Sequence, residues 1–244
     1  MIVKHRKQLG LFRKGINLYT PTKRVPIIAS GLLLYLDANN SRSYSGSGST
    51  WTDLALPKLD NITLIGSPTF NSTSPKSFSF NGSQYGIGTG NVVPQTAYTK
   101  CVWFKLSAAF DNNLVSSASG SGANPGHFMY FAGTNKLYCG HADWIGGYDQ
   151  YGSTATFSLN TWYFAVLTFN TTNGMALYIN GVLDSTYTSK KTAHSGDGST
   201  NIACFSAGGN TLKGLISMVM TYNRALNSSE VAYNYNQTKS IFRL

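Results

Sequence analysis

At positions 162–169 the chain reads Trp-Tyr-Phe-Ala-Val-Leu-Thr-Phe, and both alternating sets are largely apolar: Trp162, Phe164 and Val166 on one side, Tyr163, Ala165, Leu167 and Phe169 on the other. Successive side chains of a strand point to opposite faces, so a strand that is apolar on both faces must be covered on both. This segment is therefore a central strand, and the fold must supply a cover for each of its faces.

From Gly31 onward, short apolar or alternating segments recur between Gly, Ser, Asn and Pro, which is the pattern of a sandwich or barrel. Further candidate strands are residues 32–36, 61–65, 77–80, 99–106, 127–131, 136–140, 175–179 and 215–222. Nine or more strands imply two stacked sheets in an all-β fold. A chain of 244 residues is long enough to bury such a core as one domain. Only 11% of residues are charged, so Ser, Thr and Asn carry most of the surface polarity. The strand at 175–179 ends in Asn180-Gly181, a dipeptide whose tolerance of positive φ fits a tight hairpin turn. The one helical signal is C-terminal. Asn227 followed three places later by Glu230 has capping-box spacing and predicts a short helix to about Lys239.

The charge is unevenly placed. Lys4, Arg6, Lys7, Arg13, Lys14, Lys23 and Arg24 all precede the first acid, Asp37, and leave 12 basic residues against nine acidic ones in the remainder. The domain reading is a basic arm over residues 1–27 and a sandwich over 28–244. Phe12 and other apolar residues are interleaved with the cations, a mixture suited to docking on a partner protein. Phosphate neutralisation is the rival use of such an arm and would be strongly salt-sensitive. Residues 1–24 contain neither the apolar run of a secretion signal nor a membrane span, so the expectation is a product made and used without export through the general secretory route. Cys101, Cys139 and Cys204 are odd in number and widely spaced, as expected of small buried thiols.

Several stretches, taken in order, resemble the concanavalin A-like, laminin G-like domains found in bacteriophage structural proteins and bacterial surface proteins. They are residues 31–38, 43–54, 66–70, 80–85, the Trp-Tyr of 162–163, 177–182, 214–216, 222–231 and 234–236. The resemblance implies a two-sheet antiparallel jelly-roll sandwich, and it implies that Trp51 anchors its loop; Arg42 and Asp53 read as structural beside it. Many relatives carry acids where Asn81, Gln84, Ser217 and Met218 stand here. Calcium requires hard oxygen ligands, usually including carboxylates, so neither an inherited calcium site nor any other cofactor is expected.

Glycosidases of this fold class need a pair of carboxylates, whereas this chain has a single glutamate, Glu230, already assigned to the helix cap. No G-x-S-x-G nucleophile elbow occurs. His127, His141 and His194 read as loop or strand-end residues, and His141 with Asp143 as an ordinary surface pair. The loop-rich segment 140–151 collects Asp143, Trp144, Tyr148, Asp149 and Tyr151, and aromatic faces beside carboxylates suit sugar recognition. Packing of those aromatics beneath the loop or against a neighbouring subunit is the competing reading.

The function that the resemblance implies, together with the absence of an export signal in residues 1–24 and the few cysteines, is that of a non-enzymatic bacteriophage virion protein, assembled in the host cytoplasm. The arm (Lys4, Arg6, Lys7, Phe12, Arg13, Lys14, Lys23, Arg24) would dock on capsid or tail proteins and the sandwich would be displayed. A carbohydrate-binding adhesion module recognising host glycans is the alternative. The expected partners are other virion proteins and host glycans, with a homo-oligomer as a further candidate, and neither nucleic acid nor membrane.

Overall fold

The computed structural model describes residues 26–109, 112–117, 126–133, 135–143, 147–189, 199–206 and 208–244. Its strands, numbered along the chain, are β1 Leu32–Asp37, β2 Thr50–Trp51, β3 Ile62–Ile65, β4 Thr69–Asn71, β5 Ser77–Asn81, β6 Tyr85–Gly88, β7 Ala97–Leu106, β8 Asn112–Asn113 and β9 Val115–Ser116. They continue with β10 His127–Ala132, β11 Lys136–Asp143, β12 Gly147–Gly152, β13 Trp162–Asn170, β14 Gly174–Ile179, β15 Val182–Tyr187, β16 Thr200–Ile202 and β17 Lys213–Tyr222. Helix α1 Ser228–Thr238 and a 3-10 turn Lys239–Phe242 close the chain.

One layer of the sandwich is the eight-stranded sheet β15-β14-β13-β7-β17-β5-β4, with β1 also paired to β17. The other is built from two smaller sheets, β2-β3-β6-β16-β9 and β12-β11-β10-β8. The segment 112–117 joins them, since β8 pairs with β10 and β9 with β16. At the seam the Leu114 amide donates to the Met129 carbonyl at 2.8 Å. Every strand pairing among the described residues is antiparallel, so the architecture is the two-layer, all-β jelly roll with one short C-terminal helix expected from the sequence.

Both faces of β13 are covered. Ala165, Leu167 and Phe169 pack between the layers with Val102, Phe104, Met129, Phe131 and Ile202. Phe164 and Val166 lie on the opposite face with Trp103, Met220, Tyr222, Val231 and Phe242. The second cover is thus α1 and the turn after it. Trp103 stacks on Phe242 with centroids 3.9 Å apart and planes 9° apart, and its Nε1 donates to Thr238 Oγ1 at 2.8 Å. The capping box of Asn227 and Glu230 is formed, and Arg224 grips the Glu230 carboxylate with two bonds of 2.7 Å. That ion pair holds the Glu230 carboxyl below its usual range. In the β14–β15 hairpin, Asn180 and Gly181 both take positive φ, 51° and 81°, as the tight turn requires.

Every strand expected from the sequence is present, and shorter ones join them. β2, β8 and β9 have two residues each and β4 and β16 three, too few for alternation to register. The segment 140–151 differs from the expected loop. It is the hairpin of β11 and β12, with His141 opposite Asp149 and Cys139 opposite Tyr151. Its Gly and Asp content disguised the strands. The three cysteines are buried, and burial pushes the Cys204 thiol up to about 11 and Cys139 to about 12.

The histidines also need correcting. His127 does open a strand, but it and His141 are buried, and His141 has no exposed surface. A surface role for His141 is excluded because the alternation of β11 turns it inward with Leu137 and Cys139. There its Nδ1 lies 3.1 Å from Tyr98 Oη. His194 and the arm residues Lys4, Arg6, Lys7, Phe12, Arg13, Lys14, Lys23 and Arg24 lie outside the described residues.

Candidate functional site

β10 sorts its side chains by parity. Met129 and Phe131 enter the core, and Phe128, Tyr130 and Ala132 take the outer face of the four-stranded sheet. On β11 the outer set includes Tyr138, which pairs with Tyr130 across the ladder. On β12 it includes Gln150, while Tyr151 turns toward the core. Beside this face runs the turn between β16 and β17, from Phe205 to Asn210. Together they form a cleft of about 510 Å³ lined by Asn113, Phe128, Tyr130, Ala132, Gln150, Phe205 and Asn210.

The turn is held from beneath. Ser116 Oγ is bonded to the Cys204 and Phe205 carbonyls at 2.6 and 2.7 Å, and Asn201 Nδ2 donates to the Phe205 carbonyl at 3.2 Å. The backbone amide and Nδ2 of Asn113 both donate to the Asn210 carbonyl, at 3.3 and 3.0 Å. Across the cleft, Tyr130 Oη donates to Gln150 Oε1 at 2.7 Å. This bond points the carboxamide nitrogen of Gln150 away from the tyrosine. Among the described residues that Nε2 makes no bond, nor does the Asn210 side chain, so the rim presents amide groups to an incoming ligand. Phe128 is buried and forms the floor, with its ring edge-on to Tyr130 at 5.6 Å. Phe205 and Tyr130 are partly exposed at the sides.

The residues expected from sequence fall differently. Tyr151 stacks on Tyr187 at 5.1 Å with planes 13° apart and packs against the central core, away from the cleft. Its hydroxyl is buried without a hydrogen-bond partner, and burial pushes its pKa up. Trp144 lies outside the described residues, and so do the side chains of Asp143, Tyr148 and Asp149, whose backbones belong to β11 and β12. The residues sequence reasoning missed are Tyr130, Gln150, Phe205 and Asn210. The alternation Met129-Tyr130-Phe131-Ala132 was the available signal for Tyr130. Nothing local marks Phe205 or Asn210, which reach the cleft only through the packing of a turn.

Of the other positions singled out in the sequence, Arg42 is exposed and, among the described residues, only its backbone amide is bonded, to Asn40 Oδ1 at 3.0 Å, while the rest have structural partners. Trp51 is buried against Phe78 at 4.7 Å. Asp53 accepts from the backbone amides of Tyr35 and Ala55 at 2.9 and 2.8 Å, and from Leu59 at 3.2 Å. Gln84 Nε2 donates to the Gly66 and Ser67 carbonyls, each at 3.0 Å, and Asn81 Oδ1 accepts from the Ser83 amide and hydroxyl. Ser217 Oγ donates to the Lys76 carbonyl at 2.6 Å. Among the described residues, no three His, Cys, Asp or Glu side chains are placed to hold a metal ion, and no helix is long and apolar enough to cross a membrane.

Comparison with solved structures places this sandwich beside several binding domains. The binding domain of botulinum neurotoxin serotype G superposes with a TM-score of 0.68 at 14% identity, over 86% of this chain and 51% of that one. The binding domain of botulinum neurotoxin DC, solved in complex with SialylT, gives 0.65 at 17% identity, over 86% and 52%. The chain thus spans about half the length of these neurotoxin domains. Domain 4 of AbnA, an extracellular arabinanase from Geobacillus stearothermophilus solved in complex with arabinotriose, gives 0.64 at 16% identity, over 84% of this chain and 98% of that one. At such identities the likeness is one of fold. Comparison with curated proteins yields no match. The sequence model of the concanavalin A-like lectin/glucanases superfamily, however, matches residues 80–232, from β5 through the second turn of α1. A match over more than half the sequence, on a sandwich of the corresponding architecture, makes this chain a member of the concanavalin A-like lectin/glucanases superfamily.

Proposed function

We propose that this protein is a non-catalytic recognition protein that binds carbohydrate in the cleft between the outer face of β10–β12 and the 205–210 turn. The observation that carries the reading is the meeting of partly exposed aromatic rings, Tyr130 and Phe205, with the unbonded carboxamide nitrogen of Gln150 and the unbonded side chain of Asn210 on a pinned framework. Sugars offer C–H faces that pack on rings and hydroxyls that both donate and accept. The solved complex of the arabinanase domain with arabinotriose, on the same fold, supports this reading. The single glutamate is held by Arg224 and the helix cap, and Asp53 by backbone amides, so neither is free to serve in a carboxylate pair of the glycosidase type.

A glycan array probed with the parent and with Tyr130→Ala tests the site. Reproducible binding that the substitution weakens at least tenfold is expected. Binding unaffected by both Tyr130→Ala and Phe205→Ala would move the site elsewhere, and release of reducing ends from a bound polysaccharide would overturn the non-catalytic reading.

The arm favours a further element of the reading, a bacteriophage virion component displaying this sandwich. Seven of the 19 basic residues fall within the first 24 positions, interleaved with apolar ones, a composition suited to docking on an acidic protein surface. Deleting residues 1–24 is expected to leave a folded protein that no longer co-purifies with particles. Incorporation at parental levels would refute the anchoring role.

A further inference from the structure

None of the seven described residues lining the cleft is charged. The nearest cation in the β10–β11 ladder is Lys136, opposite Ala132, and it is not part of the lining. The hydrogen-bonding groups that are available, Asn210 and the Gln150 nitrogen, are carboxamides. They match neutral hydroxyls, which need a donor and an acceptor in the same place. A carboxylate or sulfate entering the cleft would lose water and find, among the described lining residues, no cation for the charge-assisted bond that could offset the loss.

The aromatic surface also extends beyond one ring. Tyr138 stands beside Tyr130 with centroids 5.7 Å apart. Its ring lies across the backbone of Gly152, where an added Cβ would come within 3.1 Å of it. The glycine therefore lets the ring lie low over β12. Tyr130 and Tyr138 are thus two adjacent aromatic positions on one outer face, spaced about as far apart as consecutive rings of a sugar chain.

Resting on the carbohydrate reading above, we infer that the cleft takes an uncharged oligosaccharide chain, reading at least two consecutive sugar units along Tyr130 and Tyr138, and excludes sialylated or sulfated termini. Its test is calorimetry of the full chain at low and high salt. The probes are neutral oligosaccharides of one to six units, from arabinan, glucan, galactan and mannan, together with sialyllactose and sulfated galactose oligosaccharides. The expected result is binding to at least one neutral series, with affinity rising from the monosaccharide to the trisaccharide and insensitive to salt. Tyr138→Ala should weaken the trisaccharide about tenfold while leaving the monosaccharide unchanged, with thermal unfolding of the variant confirming its fold. Selective, salt-sensitive binding of the sialylated or sulfated probes, abolished by Lys136→Ala, would overturn the inference and leave carbohydrate recognition standing. Equal affinity for mono- and trisaccharides would overturn the two-unit reading alone. Retention of none of the probes would overturn the inference and the underlying proposal together.

Discussion

Lys100 shows how far one residue can depart from its type. It sits on β7 among the inward residues Tyr98, Val102 and Phe104 and has no exposed surface. Its Nζ reaches the Phe128 carbonyl at 3.0 Å, the Val115 carbonyl at 3.4 Å and His127 Nδ1 at 3.2 Å. Val115 is on β9 and Phe128 on β10, so the amine ties together the two smaller sheets where they meet. Burial lowers its pKa from 10.5 to about 7. Between those values the unfolded chain holds a proton that the folded chain has released, so this residue's contribution to stability rises with pH across that window. The slope approaches about 1.4 kcal/mol per pH unit for one proton. Urea unfolding of the parent and Lys100→Met at pH 7 and pH 8.5 should therefore show the parent gaining on the variant as pH rises. The buried thiols and tyrosines, whose pKa values burial raises, act in the opposite direction at higher pH but are shared by both proteins and cancel. A difference independent of pH would mean that the amine stays charged in the folded state.

Among the elements, the C-terminal helix and its 3-10 turn act as a lid on the outer face of the large sheet. Their amphipathicity is modest, and what fixes them is specific: the capping box at the entry, the Arg224–Glu230 pair beside it, and Phe242 lying flat on Trp103. Phe242 is almost fully buried at 5% exposure. Phe242→Ala should cost about 3 kcal/mol in chemical denaturation, with a change in Trp103 fluorescence because its stacking partner is lost. A loss below about 1 kcal/mol would show that the turn does not seal the sheet. The cap was legible in Asn227 and Glu230 because capping depends on residues three apart. The stacking was not, because 139 positions separate Trp103 from Phe242 and no local pattern links them.

At the scale of the whole molecule, the described chain is one two-layer body with a helical cover, onto which its first described residues pack. Ile27 and Ile28 lie against the core beneath the helix, and the Ile28 amide donates to Asn234 Oδ1 at 2.9 Å. Removing residues 1–25 should leave the melting temperature unchanged. Extending the deletion through Ser30 should remove about 2 kcal/mol of stability by exposing that apolar contact. Equal melting temperatures for the two truncations would place the edge of the folded body after Ser30.

The sequence by itself determined the elements whose cause is local. The two-faced apolarity of 162–169 required a central strand, Asn180-Gly181 required its turn, and Asn227 with Glu230 required a helix start, because alternation, positive φ and capping act over a few residues. Which aromatic faces the cleft and which faces the core was decided by tertiary structure. Tyr130 and Tyr151 are the same residue type on strands of one small sheet, yet the pairing of β12 against β11 turns Tyr151 inward opposite Cys139, while Tyr130 stays on the outer face. Phe205 and Asn210 meet Tyr130 and Gln150 only because the two smaller sheets join at residues 112–117. Contacts between residues so distant in sequence depend on how whole sheets stack, and no short window of the chain records that.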